Sequence, residues 1–195
     1  MHELAFPLLV GLILIALAFD FLNGLHDAAN AIATVVATRL LKPVTAVAFP
    51  AFFNFAAYFL ALAVPELHRV ADTIGKGIID KDLVTPAVVF GALIGAMFWN
   101  VVTWLKGIPS SSSHALIGGL VGAGLAQAGL TGVQWTGLNK TLVAIVLSPT
   151  LGMILAMLIM LVTSWLGVRA TAAGADRTFR WLHLFSSALY SLGHG

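Results

Sequence analysis

The sequence contains no cysteine and few charged residues. The absence of cysteine excludes disulfide bonds and thiolate metal sites. Charged residues make up 9% of the chain and hydrophobic residues 59%, whereas a soluble domain carries roughly 25% charged residues. The net charge of +2 is too small to indicate a nucleic-acid partner. The composition therefore predicts an integral membrane protein whose principal partner is the lipid bilayer.

Long segments without charged residues predict where the chain crosses the membrane. Three of them, at residues 43–65, 83–105 and 141–168, are longer than the roughly 20 residues that a helix needs to span the hydrocarbon core. The uncharged segment 107–139 is rich in serine and glycine, and we expect a break followed by one crossing there. We predict an all-α, polytopic membrane helical bundle with discontinuous helices and about five to six membrane segments.

A first polar cluster lies in FLNGLHDAANA, at residues 21–31, with apolar sequence on both sides. Ionisable groups at membrane depth are costly and usually face a cavity or a transport pathway. Gly24 is expected to break the helix within residues 23–30, which would free backbone groups for binding. A loop beside the membrane, with Asn-Gly as its turn, is the alternative. Including the preceding carboxylate, the polar residues are Asp20, Asn23, His26, Asp27 and Asn30.

A second polar cluster lies in GIPSSSSHALIGG, where a second break is expected at residues 107–114. Pro109 ends one helix or starts the next. The hydroxyls of Ser110, Ser111, Ser112 and Ser113, with the free N–H groups of a helix start, form a pattern typical of an anion site. Capping by a single serine is the simpler interpretation, but four consecutive serines followed by His114 favour anion binding.

Several other polar residues have weaker interpretations. Asn54 and Asn100 lie deep in two predicted spans, where hydrogen bonds between helices are favoured over ligand contacts. Asp20 is either an acid of the pathway or a residue at the membrane boundary. His26 and His114 are candidate proton carriers, because imidazole titrates near physiological pH.

These motifs resemble those of the PiT-type inorganic phosphate transporters. NGLHDAANAIATVVATR is similar to the first signature of that family, and WNVVTWLKGIPSSSSHALIGGLVG is similar to its second recurring segment. FFNF, around Asn54, resembles a shorter family motif. The His-Asp pair formed by His26 and Asp27 is similar to bacterial low-affinity members, whereas many sodium-coupled members carry Asn-Asp.

The resemblance implies one half of an inverted-repeat transporter. Residues 1–178 would form the first repeat, and residues 179–195 would begin the second, with Gly195 equivalent to Gly24. On this interpretation the chain stops within the second signature, and the C-terminal half of the transporter is a missing partner. A homodimer is left open.

The resemblance also implies a function, a symporter of inorganic phosphate in the inner (plasma) membrane with several membrane crossings. Asp27 and Asn30, supported by Asn23, His26 and His114, would hold the coupling ion and substrate, and the four serines would donate to phosphate oxygens. An entering divalent anion opposes an inside-negative potential by about 4.6 kcal/mol per 100 mV. A coupling cation is therefore expected, H⁺ or Na⁺, with a divalent metal carried as metal-phosphate as a further option; no resident cofactor is expected.

Two alternative functions remain open. A permease for sulfate or another oxyanion fits the serine segment equally well, because hydroxyl donors do not select the central atom. An intramembrane serine hydrolase would need a nucleophile and a base, but Ser113 and His114 are sequence neighbours and rarely reach the required geometry. The sequence also lacks a G-x-S-x-G motif, so we expect a protein that is not an enzyme.

Overall fold

The computed structural model describes residues 6–64, 77–168 and 171–193. His194 and Gly195, the last residues of the expected second signature, lie outside these ranges. In the described ranges the regular structure is helical, apart from one isolated antiparallel bridge between Ile79 and Val133. The α-helices are α1 (Phe6–Ala37), α2 (Pro43–Ala63), α3 (Pro86–Lys106), α4 (Ser112–Ala128), α5 (Trp135–Gly167) and α6 (Ala172–Leu192), with 3₁₀ turns at Lys81–Leu83 and Gly129–Gly132.

Five of these helices, α1 to α5, are long and apolar enough to cross a membrane, α4 together with the 3₁₀ turn that follows it. Many of their large apolar side chains are exposed, including Leu14, Phe52, Trp104 and Leu158. Such side chains are stable in contact with lipid, whereas a soluble protein rarely exposes apolar patches of that extent. The described part of the chain is therefore all-α, with several helices able to span a membrane, as the sequence predicts.

The break expected at residues 23–30 is not present, because α1 runs without interruption from Phe6 to Ala37. One glycine inside a helix costs only about 1 kcal/mol relative to alanine. Leu22 and Leu25 lie close to Gly24, two alanines follow from Ala28, and no proline follows within α1 to remove a backbone hydrogen bond. The backbone of this segment is therefore paired within the helix, and only its side chains are available to bind.

The chain does leave helical geometry between α3 and α4, within the segment 107–114 where the sequence predicts a break. Gly107 adopts a left-handed conformation, with φ of 64°. Its N–H donates to the Trp104 carbonyl at 3.1 Å, and the N–H of Ile108 donates to the Thr103 carbonyl at 2.9 Å. These two bonds form a Schellman motif, which satisfies the last carbonyls of α3, and Pro109 then prevents the helix from continuing.

The described residues fall into two compact units. The first unit contains the chain up to Asp27 and the segment ending at Leu138, and the pairing of α3 with α4 dominates it. A Cβ atom on Gly119 would clash with the carbonyl of Ala92, so the two backbones touch there. Ile78, Ile79, Val88 and Ile117 form a buried apolar cluster that involves both helices and the segment before α3. The first unit therefore contains an antiparallel helical hairpin with a small apolar core.

The second unit contains Ala28–Val64 and the segment from Asn139 onwards, and α2 packs against α6 within it. Small buried residues on both helices allow the close approach. On α6 they repeat at helical spacing, and the Ser191 hydroxyl donates to the Ser187 carbonyl at 2.8 Å. The buried residues are Ala46, Pro50 and Ala57 on α2, and Ser187, Ala188 and Ser191 on α6.

Candidate functional site

The serine segment forms the turn between α3 and α4, and its members occupy different positions. Ser111 is the N-cap of α4, and its Oγ accepts a hydrogen bond from the His114 N–H at 3.4 Å. Ser110 Oγ accepts a hydrogen bond from Trp99 Nε1 at 3.2 Å. Ser112 is buried and Ser113 is exposed. The single capping serine of the simpler interpretation is therefore Ser111, and the other hydroxyls are not used for capping.

A buried amide lies on the face of α3 that packs against α4. Asn100 is 1% exposed, and its Nδ2 atom has no hydrogen-bond partner. Close approaches of Gly91 to Ala123 and of Gly95 to Gly119 set the antiparallel register of the hairpin. When this register is continued along both helices, Asn100 comes level with His114, in the first turn of α4.

Thr103, one turn beyond Asn100, does not supply the missing partner. Its hydroxyl bonds to the carbonyls of its own helix, Trp99 at 2.9 Å and Asn100 at 3.0 Å. The hydrogen bond between helices that the sequence predicts for Asn100 is therefore not made by Nδ2. An unpaired buried donor of this kind costs about 1–3 kcal/mol, and a ligand that accepts a hydrogen bond would remove the cost. On α2, the Oδ1 atom of Asn54 is also buried without a hydrogen-bond partner.

His114 occupies the first turn of α4 and is exposed. With Trp99 it borders an open groove of about 500 Å³, whose remaining lining is glycine and alanine from α3 and α4. Such a lining offers few polar contacts to an anion. The polar groups that suit an anion are instead the hydroxyls and N–H groups of the turn itself.

The first polar cluster lies on the continuous helix α1. His26 Nδ1 is 2.9 Å from the Leu22 carbonyl oxygen. Because a carbonyl oxygen only accepts, Nδ1 carries the hydrogen in this contact. Nε2 is buried without a hydrogen-bond partner. The second ring nitrogen of His26 is therefore not used by the protein's own hydrogen bonds.

The other polar residues of α1 are less enclosed than His26 Nε2. Asn23 and Asp27 are half-buried, whereas Asp20 and Asn30 are exposed. Within the described residues, no hydrogen bond or ion pair joins Asp20, Asn23, His26 or Asp27 to the serine segment. The described part of the chain also contains no group of three or more His, Asp or Glu side chains that could hold a metal ion.

Two residues of the site were not selected from the sequence. Trp99 fixes Ser110 through its indole N–H, and Thr103 accepts the Ile108 N–H that ends α3. The tryptophan precedes Asn100 in the Trp-Asn pair of the second recurring motif, which was the available signal. Its contact with a residue eleven positions later depends on the turn and could not be read from the spacing.

The fold defines a class of protein, an all-α polytopic membrane protein with polar side chains buried within its helices. The sequence profile of the phosphate transporter family matches residues 23–195. The chain belongs to this family. The family and its named relatives are transporters and not enzymes, which confirms the expectation from the sequence.

The relatives carry consistent names. The chain is 62% identical over 192 residues to a probable low-affinity inorganic phosphate transporter of Rhizobium meliloti, covering 98% of this chain and 56% of that protein. It is 45% identical to a protein of the same name from Streptomyces halstedii, and the match covers 96% of this chain and 86% of that protein. A solved structure titled "The sodium-dependent phosphate transporter" shares the fold, with a TM-score of 0.72 and 24% sequence identity. The match covers 95% of this chain and 53% of that one. The chain spans about half the length of most curated relatives it matches.

Proposed function

We propose that this chain forms the substrate-binding half of a secondary active transporter that carries inorganic phosphate together with a cation across the plasma membrane. Membership of the phosphate transporter family and the names of the relatives support phosphate as the substrate. Because the chain spans about half of most of these relatives, transport is proposed for an assembly that also contains a second, homologous half.

The observation that carries the proposal is the set of free hydrogen-bond donors at the start of α4. Ser110 and Ser111 each accept a hydrogen bond, from Trp99 and from the His114 N–H, so their own hydroxyl hydrogens remain available. The first N–H groups of a helix lack partners within it, and the helix dipole favours negative charge there. Buried Asn100 adds an unpaired amide donor on the facing helix. Such a set of donors suits a tetrahedral oxyanion.

The acceptor groups on α1 suit the coupling ion. Asp27 supplies a carboxylate, Asn23 and Asn30 supply amide oxygens, and His26 supplies the basic Nε2 atom. Asp27 and Asn30 are three residues apart on a continuous helix and so lie on one face. Oxygen ligands bind hard cations, and an unpaired imidazole nitrogen takes up a proton. We assign the cation to these side chains, with His114 as a second candidate proton carrier.

Charge balance makes a coupled cation necessary. Each negative charge that enters against an inside-negative potential costs about 2.3 kcal/mol per 100 mV, and divalent phosphate costs twice that. Cotransported protons, sodium ions or a metal bound to phosphate would offset this cost. The free Nε2 atom of His26 favours protons, and phosphate that enters as a neutral metal complex would need the least further compensation.

Phosphate binding to the purified chain tests the donor set. We expect the double variant S110A/S113A to bind radiolabelled phosphate at least about tenfold more weakly, because two charge-assisted hydrogen bonds are removed. The matched control is S186A, which removes an exposed hydroxyl from α6. S111A should weaken phosphate binding and also lower the unfolding free energy by about 1 kcal/mol, because Ser111 belongs to the donor set and caps α4.

Two results would contradict the assignment. Unchanged phosphate affinity in S110A/S113A would remove the serine segment from the site. Displacement of labelled phosphate by sulfate at equal concentration would replace the substrate by the wider class of tetrahedral oxyanions, which is the alternative permease.

A further inference from the structure

A second polar groove lies in the second unit, between the start of α6 and the turn that follows α1. It has a volume of about 380 Å³. Its charged lining consists of Asp176, Arg177 and Arg180, and its apolar lining consists of Leu40, Trp181 and Leu184. Neither the serine segment nor the polar cluster of α1 contributes to it, so the proposed phosphate site does not account for these residues.

The groove is positively charged. Arg177 and Arg180 are three residues apart on α6 and therefore share a helical face. Both are exposed, and among the described residues neither forms an ion pair. In the chain, Arg39 and Lys42 flank Leu40. Cations therefore outnumber the single carboxylate around the groove, and the guanidinium groups are free to bind an anion through paired hydrogen bonds.

The backbone at Arg39 has a conformation that residues other than glycine rarely adopt. Arg39 has a left-handed conformation, with φ of 54°, at the end of α1. The N–H of Leu40 closes that end on the Val35 carbonyl at 3.0 Å. Glycine adopts this conformation with the least strain. Backbone geometry therefore does not account for an arginine at this position.

The apolar part of the groove indicates that the anion belongs to a lipid. The turn at residues 38–42 joins two helices that are each long enough to span the membrane, so it lies at a membrane surface. Trp181 is 71% exposed, and tryptophan is enriched at the level of lipid headgroups. Helix α6 is amphipathic and also exposes Phe179 and Phe185. Free inorganic phosphate has no group that would contact Leu40, Trp181 or Leu184.

We propose that this groove binds the headgroup of an acidic phospholipid. Arg177 and Arg180 hold the phosphodiester, Arg39 and Lys42 add attraction from the turn, and the glycerol and first acyl carbons lie along Leu40, Trp181 and Leu184. Clusters of basic residues next to membrane-spanning helices attract anionic lipids in this way. The lipid would anchor α6 at the membrane surface and hold it against α2.

Native mass spectrometry of the full chain in detergent tests the proposal with two probes, phosphatidylglycerol and phosphatidylcholine. We expect the wild-type chain to retain phosphatidylglycerol in preference to phosphatidylcholine. R177Q/R180Q should retain at least about tenfold less phosphatidylglycerol than the wild type. The charge-matched control is K81Q/K140Q, which removes two exposed cations of the first 3₁₀ turn and of α5. The control should bind like the wild type.

Two results would overturn the proposal, and a third would assign the groove to another ligand. Equal retention of phosphatidylglycerol by wild type and R177Q/R180Q, or equal retention of both lipids by the wild type, would overturn the proposal. Displacement of the lipid by millimolar inorganic phosphate, with labelled phosphate binding that depends on the arginine pair, would assign the groove to free phosphate instead. If the double variant does not give a monodisperse, helical protein, R180Q and W181A serve in its place, and lipid retention unchanged in both would count against the site.

Discussion

At the scale of single residues, His26 has a defined protonation geometry. The Leu22 carbonyl accepts from Nδ1 at 2.9 Å and leaves Nε2 buried and unpaired. The coupling proton is proposed for this Nε2 atom, on the residue that precedes Asp27 in the chain.

This geometry predicts different effects for two neighbouring residues. In a full-length transporter that contains this chain, H26N should lower phosphate uptake, most strongly at acid pH, and flatten its dependence on external pH, since the proposed proton-accepting nitrogen is lost. D27N should reduce uptake about a hundredfold or more at every pH, because the carboxylate that holds the coupling cation is removed. Uptake of labelled phosphate by proteoliposomes, measured from acid to alkaline pH, checks both expectations.

The same assay can contradict the assignment. If D27N transports at a near-normal rate, Asp27 does not hold the coupling ion. If H26N retains the pH profile of the wild type, the proton is carried elsewhere, and H114N becomes the next variant to measure.

The sequence predicted the residue types of the site better than their contacts. Four consecutive serines indicated a cap plus additional donors, and the structure places the cap at Ser111. The Trp99 contact with Ser110 was not predictable, because it depends on how the turn folds back over α3. The unpaired amide of Asn100 was not predictable either, since sequence alone does not show that Thr103 bonds to its own helix.

At the scale of elements, the α3–α4 hairpin is defined by a close backbone contact. Gly119 meets the carbonyl of Ala92 on the facing helix, and Ala92 and Ala96 are buried. Small residues at such a crossing allow the helices to approach closely. This crossing fixes the register that brings Asn100 level with the first turn of α4, so the donor set depends on a glycine several turns away.

Substitution of this glycine should therefore separate packing from helix propensity. G119A should lower the unfolding free energy by about 1–3 kcal/mol, because an inserted methyl group forces the backbones apart. G118A is the matched control on the same helix, since nothing lies within 4 Å of a Cβ atom at Gly118. It should be neutral or slightly stabilising, by up to about 1 kcal/mol.

Thermal unfolding of both variants in detergent, followed by circular dichroism, provides the measurement. G119A should also weaken phosphate binding through the altered register, while G118A should not. Equal melting temperatures for the two variants would show that the contact with Ala92 does not determine the stability of the hairpin.

Most of the helices could be predicted from the sequence, but the continuity of α1 could not. A segment without charge must be helical to satisfy its backbone in lipid, so 43–65, 83–105 and 141–168 correspond closely to α2, α3 and α5. The continuity of α1 was missed, because polar side chains indicate a cost of burial but do not determine whether the backbone beneath them breaks. A lone glycine is a weak helix breaker, and the leucine and alanine residues nearby favour the helix strongly enough to keep it continuous.

At the scale of the whole molecule, the chain accounts for about half of most relatives that it matches. Transporters of this general kind are built from two related repeats around a site near the bilayer midplane. The serine segment and the α1 cluster would supply one repeat's share of the binding groups. We infer that the second repeat supplies the rest and completes the pathway.

This inference predicts that binding and transport can be separated. Proteoliposomes that contain only this chain should bind phosphate and show no concentrative uptake above that of empty liposomes. Scintillation counting of filtered vesicles, with a proton gradient imposed, measures the uptake. Phosphate accumulation that collapses on addition of an uncoupler would demonstrate that the chain alone transports, and the two-half proposal would then fail.

The length of α5 has a consequence for the surrounding lipid. The helix has 33 residues, which at 1.5 Å per residue gives about 50 Å, compared with about 30 Å for the hydrocarbon core. A rod of that length must lean steeply or protrude on at least one side. Bilayers with shorter or longer acyl tails would favour different inclinations, so activity should vary with acyl-chain length even where headgroup composition is held constant.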